Sequence, residues 1–376
     1  MPTALVTEPP EIADADVHSP REPTAGDARA AVARISRLAQ VMLGLLWLLD
    51  GALQFQPYMF GKTFITGVLL PNAAGQPRFI AAPIIWIAHL IEPHVALFNG
   101  FAATLQALIG LGLLYRRTVK PALLVSFVWA LGIWFSGEGL GMIFTGNASP
   151  LTGAPGAALL YVLVGLMCWP RAGTLRARTR GRGAGSGLIG ERGMRLTWAG
   201  LWLGSAALWL SPANDGASAV HDAIATAPSG VGWLSSVLSF AARITAGQGT
   251  TIAVALALLS ATIGVAVLRS WHAKAFLGLA IAISVLYWIV GQGLGGVFTG
   301  QATDVSTAPL MILIAAILLA RGRVSELGEQ RRSHRMTRDV VAPDADRSGR
   351  RPTRRHQQDQ LGEHQQPTAR RAAVRA

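Results

Sequence analysis

Two carboxylates interrupt apolar stretches of the chain: Asp50, within Leu48-Leu49-Asp50-Gly51-Ala52, and Glu138, within Gly137-Glu138-Gly139-Leu140-Gly141. A charged group inside a hydrocarbon layer costs about 2.5 to 3.5 kcal/mol on insertion scales, so an acid in such a place is a functional hypothesis. Asp50 precedes Pro57 by seven residues and Glu138 precedes Thr145 by seven, the expected exits of their segments. At 1.5 Å per residue both lie roughly 10 Å below the same membrane face. Two acids at one depth can carry or share a proton, or accept a hydrogen bond from a quinol, which makes Asp50 and Glu138 the candidate catalytic pair. Gln54 continues the polar stripe of Asp50 one turn on. Asn99, Ala103, Gln106 and Gly110, spaced i, i+4, i+7 and i+11, give a small, polar helix face. Gln54, Asn99 and Gln106, with the backbone of Gly137 and Gly139, are the candidate ligand-binding set. The competing reading is that these groups only hydrogen-bond one another across helices, at about 0.6 to 2 kcal/mol per contact.

The elements that must position these residues are membrane helices. Of 376 residues, 51% are hydrophobic and only 14% charged, against about a quarter charged in soluble domains, which excludes an ordinary soluble enzyme. Eight spans are expected, near 38–56, 95–115, 121–144, 151–170, 196–211, 250–268, 275–299 and 304–320, the fifth and eighth short for a core of about 30 Å. Neither end of the first span resembles a cleavable signal peptide. The fold class is therefore an all-α polytopic bundle. Arginines mark alternate loops: Arg116, Arg117 and Lys120, then seven arginines between 171 and 195, then Arg269 and Lys274, then 14 arginines beyond the last span. Basic residues stay on the cytoplasmic side, so both termini are expected there, in a bacterial plasma membrane. The domain reading is a disordered tail 1–35, a four-span unit 36–170, a basic linker 171–195, a second four-span unit 196–320 and a disordered Arg-rich tail 321–376. That last tail could contact anionic lipid headgroups; nucleic acid is not an expected partner.

The two units repeat one another. Trp134–Pro155 set beside Trp288–Pro309, without a gap, gives 11 identities in 22 positions. At an offset of 155, Leu46-Trp47-Leu48 also meets Leu201-Trp202-Leu203. An even number of spans per copy makes a parallel repeat about an axis along the membrane normal. Asp50 aligns with Ser205, Gln54 with Trp209, Asn99 with Ala253, Gln106 with Ser260 and Glu138 with Gln292. The second copy lacks both carboxylates, which points to one working pocket, in the first copy, and one structural copy. The glycine segments at 137–141 and 291–296 are either close helix crossings or unwound stretches lining a cavity. Between the first two spans of each copy, Ile80–Ile91 and the stripe Trp233, Val237, Leu238, Ala241 and Ile244 suggest short interfacial lids. His89, Glu92 and His94 have metal-binding side chains, but Pro93 breaks their spacing and no metal site is expected. With Cys168 as the sole cysteine, no internal disulfide can form.

The run Gln106-Ala107-Leu108-Ile109-Gly110-Leu111-Gly112-Leu113-Leu114-Tyr115-Arg116-Arg117, followed by Pro121-Ala122-Leu123-Leu124, resembles the junction of the second and third spans in DoxX-like membrane proteins. The resemblance implies four-span bundles and a quinone-linked redox or redox-accessory role beside a membrane oxidoreductase. Under it, Asp50 and Glu138 would take up or deliver protons while Gln54, Asn99 and Gln106 position a quinone head. A proton-coupled transporter or channel for a small solute is the alternative, and a structural scaffold a third.

Overall fold

Long apolar runs with few internal charges leave the backbone one economical way to satisfy its polar groups in hydrocarbon, the α-helix. The structure is a computed structural model that describes residues 25–170 and 187–341, the last of these from 327 onward as backbone only. Among the described residues there is helix and turn but no strand. The helices are α1 (Ala25–Leu53), α2 (Arg78–Ile91), α3 (Val95–Leu114), α4 (Val119–Ser136), α5 (Ala157–Met167), α6 (Gly190–Trp209), α7 (Ala219–Ala225), α8 (Gly232–Thr245), α9 (Gly249–Leu268), α10 (Ala273–Val290) and α11 (Thr307–Val341). The chain divides into two units at Gly328, and everything below concerns the first. The expected linker 171–195 lies outside the described residues up to 186, as do 1–24 and 342–376 of the two tails. Within the rest, α1 begins at Ala25 and α11 continues to Val341, so helix reaches into both segments expected as tails.

Six described helices are long and apolar enough to cross a membrane: Gly26–Leu53, Arg78–Leu114, Val119–Ser136, Gly249–Leu268, Ala273–Val290 and Thr307–Glu326. The expected fourth and fifth spans do not reach that standard. Helix α5 has 11 residues, about 16 Å of rise, half of a hydrocarbon core. Helix α6 has 20, but its first turns carry Glu191, Arg192 and Arg195. The protein is thus a multi-pass membrane protein by its apolar helices, and its outer surface agrees: Leu97, Val128 and Leu258 stand largely exposed among many other large apolar side chains.

In each copy the first helix packs along the second long one, α1 on α3 and α6 on α9. Small residues permit the approach: a side chain at Gly110 would come within 2.7 Å of the Gly44 carbonyl oxygen, and one at Gly51 within 3.1 Å of the Ala107 nitrogen. At the C-terminal end of α3, the Arg37 guanidinium donates to its terminal carbonyls, Leu113 (2.9 Å) and Leu114, groups a helix end otherwise leaves unpaired. Gln40 donates to the Cys168 carbonyl at 2.8 Å, and Arg321 donates to Ser36 Oγ at 3.1 Å and the Met167 carbonyl at 3.0 Å, so α1, α5 and α11 are tied together there. Helix α8 buries Leu234, Leu238 and Ala242 and leaves Trp233, Val237 and Ile244 exposed. Of the expected interfacial stripe, Leu238 is therefore buried and Trp233, Val237 and Ile244 are exposed.

The glycine segments leave the helix. After α4 the chain turns through Gly139, Leu140, Gly141 and Met142, all at positive φ, and after α10 through Gly293, Leu294, Gly295 and Gly296 in the same way. Spans expected to run to 144 and 299 therefore end as helices at Ser136 and Val290. Left-handed backbone is strained for most side chains and free for glycine. Space makes the same demand, since a Cβ on Gly141 would lie 2.2 Å from the Pro155 carbonyl oxygen.

Candidate functional site

Asp50, Gln54, Asn99 and Gln106 are all buried, at 2%, 6%, 1% and 3% exposure. Asp50 faces α5, where Tyr161 donates its hydroxyl to Asp50 Oδ2. The Tyr161 ring packs on Trp47, one turn before Asp50 on α1, with ring centroids 4.5 Å apart, and the Trp47 indole N–H donates to Ser126 Oγ at 3.0 Å. The carboxyl is therefore fixed by a tyrosine that is itself fixed by a tryptophan. Asp50 Oδ1 is buried without a hydrogen-bond partner among the described residues, and Gln106 Oε1 is in the same position. Unpartnered buried acceptors are few in folded proteins and call for a reason.

Glu138 sits at the unwound turn after α4 and accepts from the Ala158 backbone N–H, at 3.0 and 3.2 Å to its two oxygens. It thereby caps the start of α5, a helix N-terminus where negative charge is favoured. The same helix thus carries Tyr161 to Asp50 and rests on Glu138. Asn99 donates to the Gln54 carbonyl at 2.7 Å. The carbonyls of Gly137 and Gly139 accept from Asn72 (2.6 Å) and Gln76 (2.7 Å), which docks the loop between α1 and α2 onto the turn.

The C-terminal half of the chain supplies a third acid. Its segment Ala302–Ser306 lies against the polar end of α1: Gln54 donates to the Thr303 carbonyl at 3.5 Å and Gln56 to the Ala302 carbonyl at 3.2 Å. Asp304, in that segment, is near enough to act electrostatically on both Asp50 and Glu138, and Glu138 acts on Asp50. Burial holds the Asp304 carboxyl above the usual carboxylate range, against the Ser306 N–H and Thr303 hydroxyl that hydrogen-bond it. The exchange is reciprocal, for Asn214 of the second copy donates to the Ala148 carbonyl of the first at 2.8 Å.

Tyr161 and Asp304 are the two site residues that the reading of the sequence passed over. Tyr161 is one of four tyrosines and the one polar ring in α5. Asp304 stands where the ungapped repeat has Pro150, an acid in an otherwise neutral stretch. Both were visible as isolated polar groups among apolar ones.

Past the two glycine turns, the hydrogen bonds do not follow the ungapped alignment of the two segments. Trp134 donates to the Pro155 carbonyl at 2.7 Å and Trp288 to the Val305 carbonyl at 2.9 Å; Glu138 accepts from Ala158 N–H, and Gln292 accepts from Ala308 N–H at 3.2 Å. Equivalent residues past the turn are thus offset by 150, although the tryptophans are offset by 154. The first copy holds four more residues in this loop, and Ala154-Pro155 is not the structural partner of Ala308-Pro309.

His89, Glu92 and His94 do not gather. Glu92 pairs with Lys62 at 3.3 Å and with His89, near the end of α2, at 3.8 Å, all with exposed side chains, and no group of three metal-binding side chains occurs among the described residues. Compared with protein-family models, with curated proteins and with solved structures, the chain matches none at a significant level.

Proposed function

We propose that this multi-pass membrane protein exchanges protons at Asp50 and couples that exchange to a small molecule, with its termini on the cytoplasmic side of a bacterial plasma membrane and its two copies in parallel orientation. The observation that carries the reading is the state of Asp50: buried, held by Tyr161 at one oxygen, unpartnered at the other, and repelled by two further carboxylates. Gathering negative charge where water is excluded is unfavourable in every ionised arrangement, and arrival of one proton relieves it. A purely structural bond between α1 and α5 would need no acid at all. The unwound turns beside the cluster, one in each copy, supply bare backbone at a point where transporters use broken helices, so coupling to a small solute is the favoured form.

A quinone-linked redox role is the second reading. The unpartnered acceptors Asp50 Oδ1 and Gln106 Oε1 suit the hydroxyls of a quinol, and the run from Gln106 to Leu124 resembles DoxX-like proteins. A bound quinone would supply two-electron redox chemistry. Asp50 would then accept or return the proton, with Tyr161 orienting its carboxyl and Gln106 holding the head.

The test is proton movement into liposomes carrying the full chain, followed with an interior pH dye, for wild type and Asp50→Asn. A fall of at least tenfold in the variant is expected, and equal rates would overturn the proposal. Reduction of a short-chain quinone by thiosulfate, run on the same preparations, separates the forms. Quinone reduction that depends on Asp50 selects the redox one, and flux without it selects transport.

A further inference from the structure

The second copy contains a cleft where the first has the contact of Tyr161 with Asp50. Its walls include Trp202, Ser205, Ser284, Tyr287, Gln292 and Thr307, around a cavity of about 40 Å³ open to the outside. Three of these are structural counterparts of the acid site: Trp202 of Trp47, Ser205 of Asp50 and Gln292 of Glu138. The corrected offset adds Met311, which also lines the cleft and stands for Tyr161. Where the first copy closes the space with a tyrosine reaching an aspartate, the second has a serine too short to reach and a methionine with nothing to give. The opening follows from those two exchanges.

Its polar groups are neutral and poorly used. Trp202 is 3% exposed, and its indole N–H has no acceptor among the described residues, whereas Trp47 gives its own to Ser126. A buried donor left unmade costs about 1 to 3 kcal/mol, so a site that retains one is suited to a molecule that brings an acceptor. Tyr287 accepts from Trp209 at 3.2 Å, which leaves its own proton to donate. Ser205 and Ser284 have no hydrogen bond among the described residues given to them, while Gln292 is held in place by Thr307 (3.0 Å) and Ala308. Leu201, Met311 and the proline-rich loop of the first copy complete the wall with apolar surface. No ionisable carboxyl, amine or guanidinium lines it.

From this juxtaposition we propose that the cleft is a binding site for a small, neutral, partly apolar molecule carrying a carbonyl or similar acceptor oxygen, received by Trp202 Nε1–H and the Tyr287 hydroxyl. Copy two is thus a ligand site and not only scaffolding. The site is independent of proton exchange at Asp50 and stands or falls separately from it.

The test uses 2-fluoroacetamide, a neutral carbonyl compound of five heavy atoms, with fluorine NMR line broadening on the detergent-solubilised full chain. Saturable binding by wild type is expected. Ser205→Leu, which fills the cleft, should abolish it, and Trp202→Phe, which keeps the ring wall and removes the donor, should weaken it about tenfold. Leu258→Ala, on the exposed outer surface, should bind as wild type. 1-Fluorobutane, which lacks the oxygen, should bind at least tenfold more weakly than the amide. Absence of saturable binding, undiminished binding in Trp202→Phe, or fluorobutane binding as tightly as the amide would overturn the proposal. If Ser205→Leu does not give a monodisperse, helical protein, the Trp202→Phe and fluorobutane comparisons decide it.

Discussion

The same helix scaffold closes one site and leaves the other open. In the first copy, Trp47, Asp50 and Tyr161 form a continuous contact from α1 to α5, with charge inside it. In the second, Trp202, Ser205 and Met311 occupy the same places, and the space between them is not filled. The turns that follow α4 and α10 keep one geometry, left-handed through the same glycines and latched by equivalent tryptophans. Conserving the frame while changing three side chains converts an acid site into a neutral cleft. Each copy also lends its outer loop to the other, Asp304 to the acid cluster and Pro150 to Pro155 to the cleft, so neither site is complete within one copy.

This contrast can be broken at several points. The largest effect is on function: Asp50→Asn should remove proton movement by at least tenfold in liposomes, while Ser205→Asn, the same side chain placed in the other copy, should leave it unchanged. Next in size, Gly141→Ala and Gly295→Ala should each destabilise by about 3 kcal/mol or more, because a Cβ there meets backbone atoms at 2.2 and 2.6 Å in addition to the left-handed strain. Denaturation in mild detergent should show a similar loss at both, and a harmless substitution at one of them would show that the two turns are not equivalent. Tyr161→Phe leaves Asp50 with two unpartnered oxygens and should cost about 1 to 3 kcal/mol by the same measurement. Trp47→Phe loses a made hydrogen bond and Trp202→Phe an unmade one, so the first should be the more costly by about 1 kcal/mol. The smallest effect concerns pH. Asp304 titrates above the usual range in the folded protein, so the folded state holds its proton longer than the unfolded chain does. Its contribution to stability is full below the unfolded value of about 3.9 and is lost as pH rises through the folded value. Asp304→Asn should flatten the decline in melting temperature as pH rises above the unfolded value of about 3.9.

Much of the fold could be read directly, because membrane helices announce themselves by composition over some twenty residues and need no long-range information. Helices α3, α9 and α10 begin within two residues of expectation for this reason. The breaks at Ser136 and Val290 were harder, since apolar content continues past them and only the density of glycine marks the turn. Asp50, Gln54, Asn99 and Gln106 could be recognised as buried because polar groups among apolar neighbours stand out. What Gly137 and Gly139 do could not, since their carbonyls are engaged by Asn72 and Gln76, more than sixty residues away in the chain.

The sequence by itself determined that the chain carries long apolar helices suited to a membrane, that two of its segments share 11 of 22 aligned residues, and that Asp50 and Glu138 align with uncharged residues. Those are properties of composition and spacing, which the hydrophobic effect and helix geometry read locally. Tertiary structure decided which acids lie near enough to influence one another, that Tyr161 holds Asp50, that Asp304 comes from the C-terminal half, and that the hydrogen bonds after the two glycine turns are offset by 150 residues. Each depends on where loops of different length bring distant segments, and short-range spacing carries no record of that. The open cleft is the plainest case: serine at 205 and methionine at 311 are unremarkable in sequence, and only the fold brings them to one cleft beside Trp202.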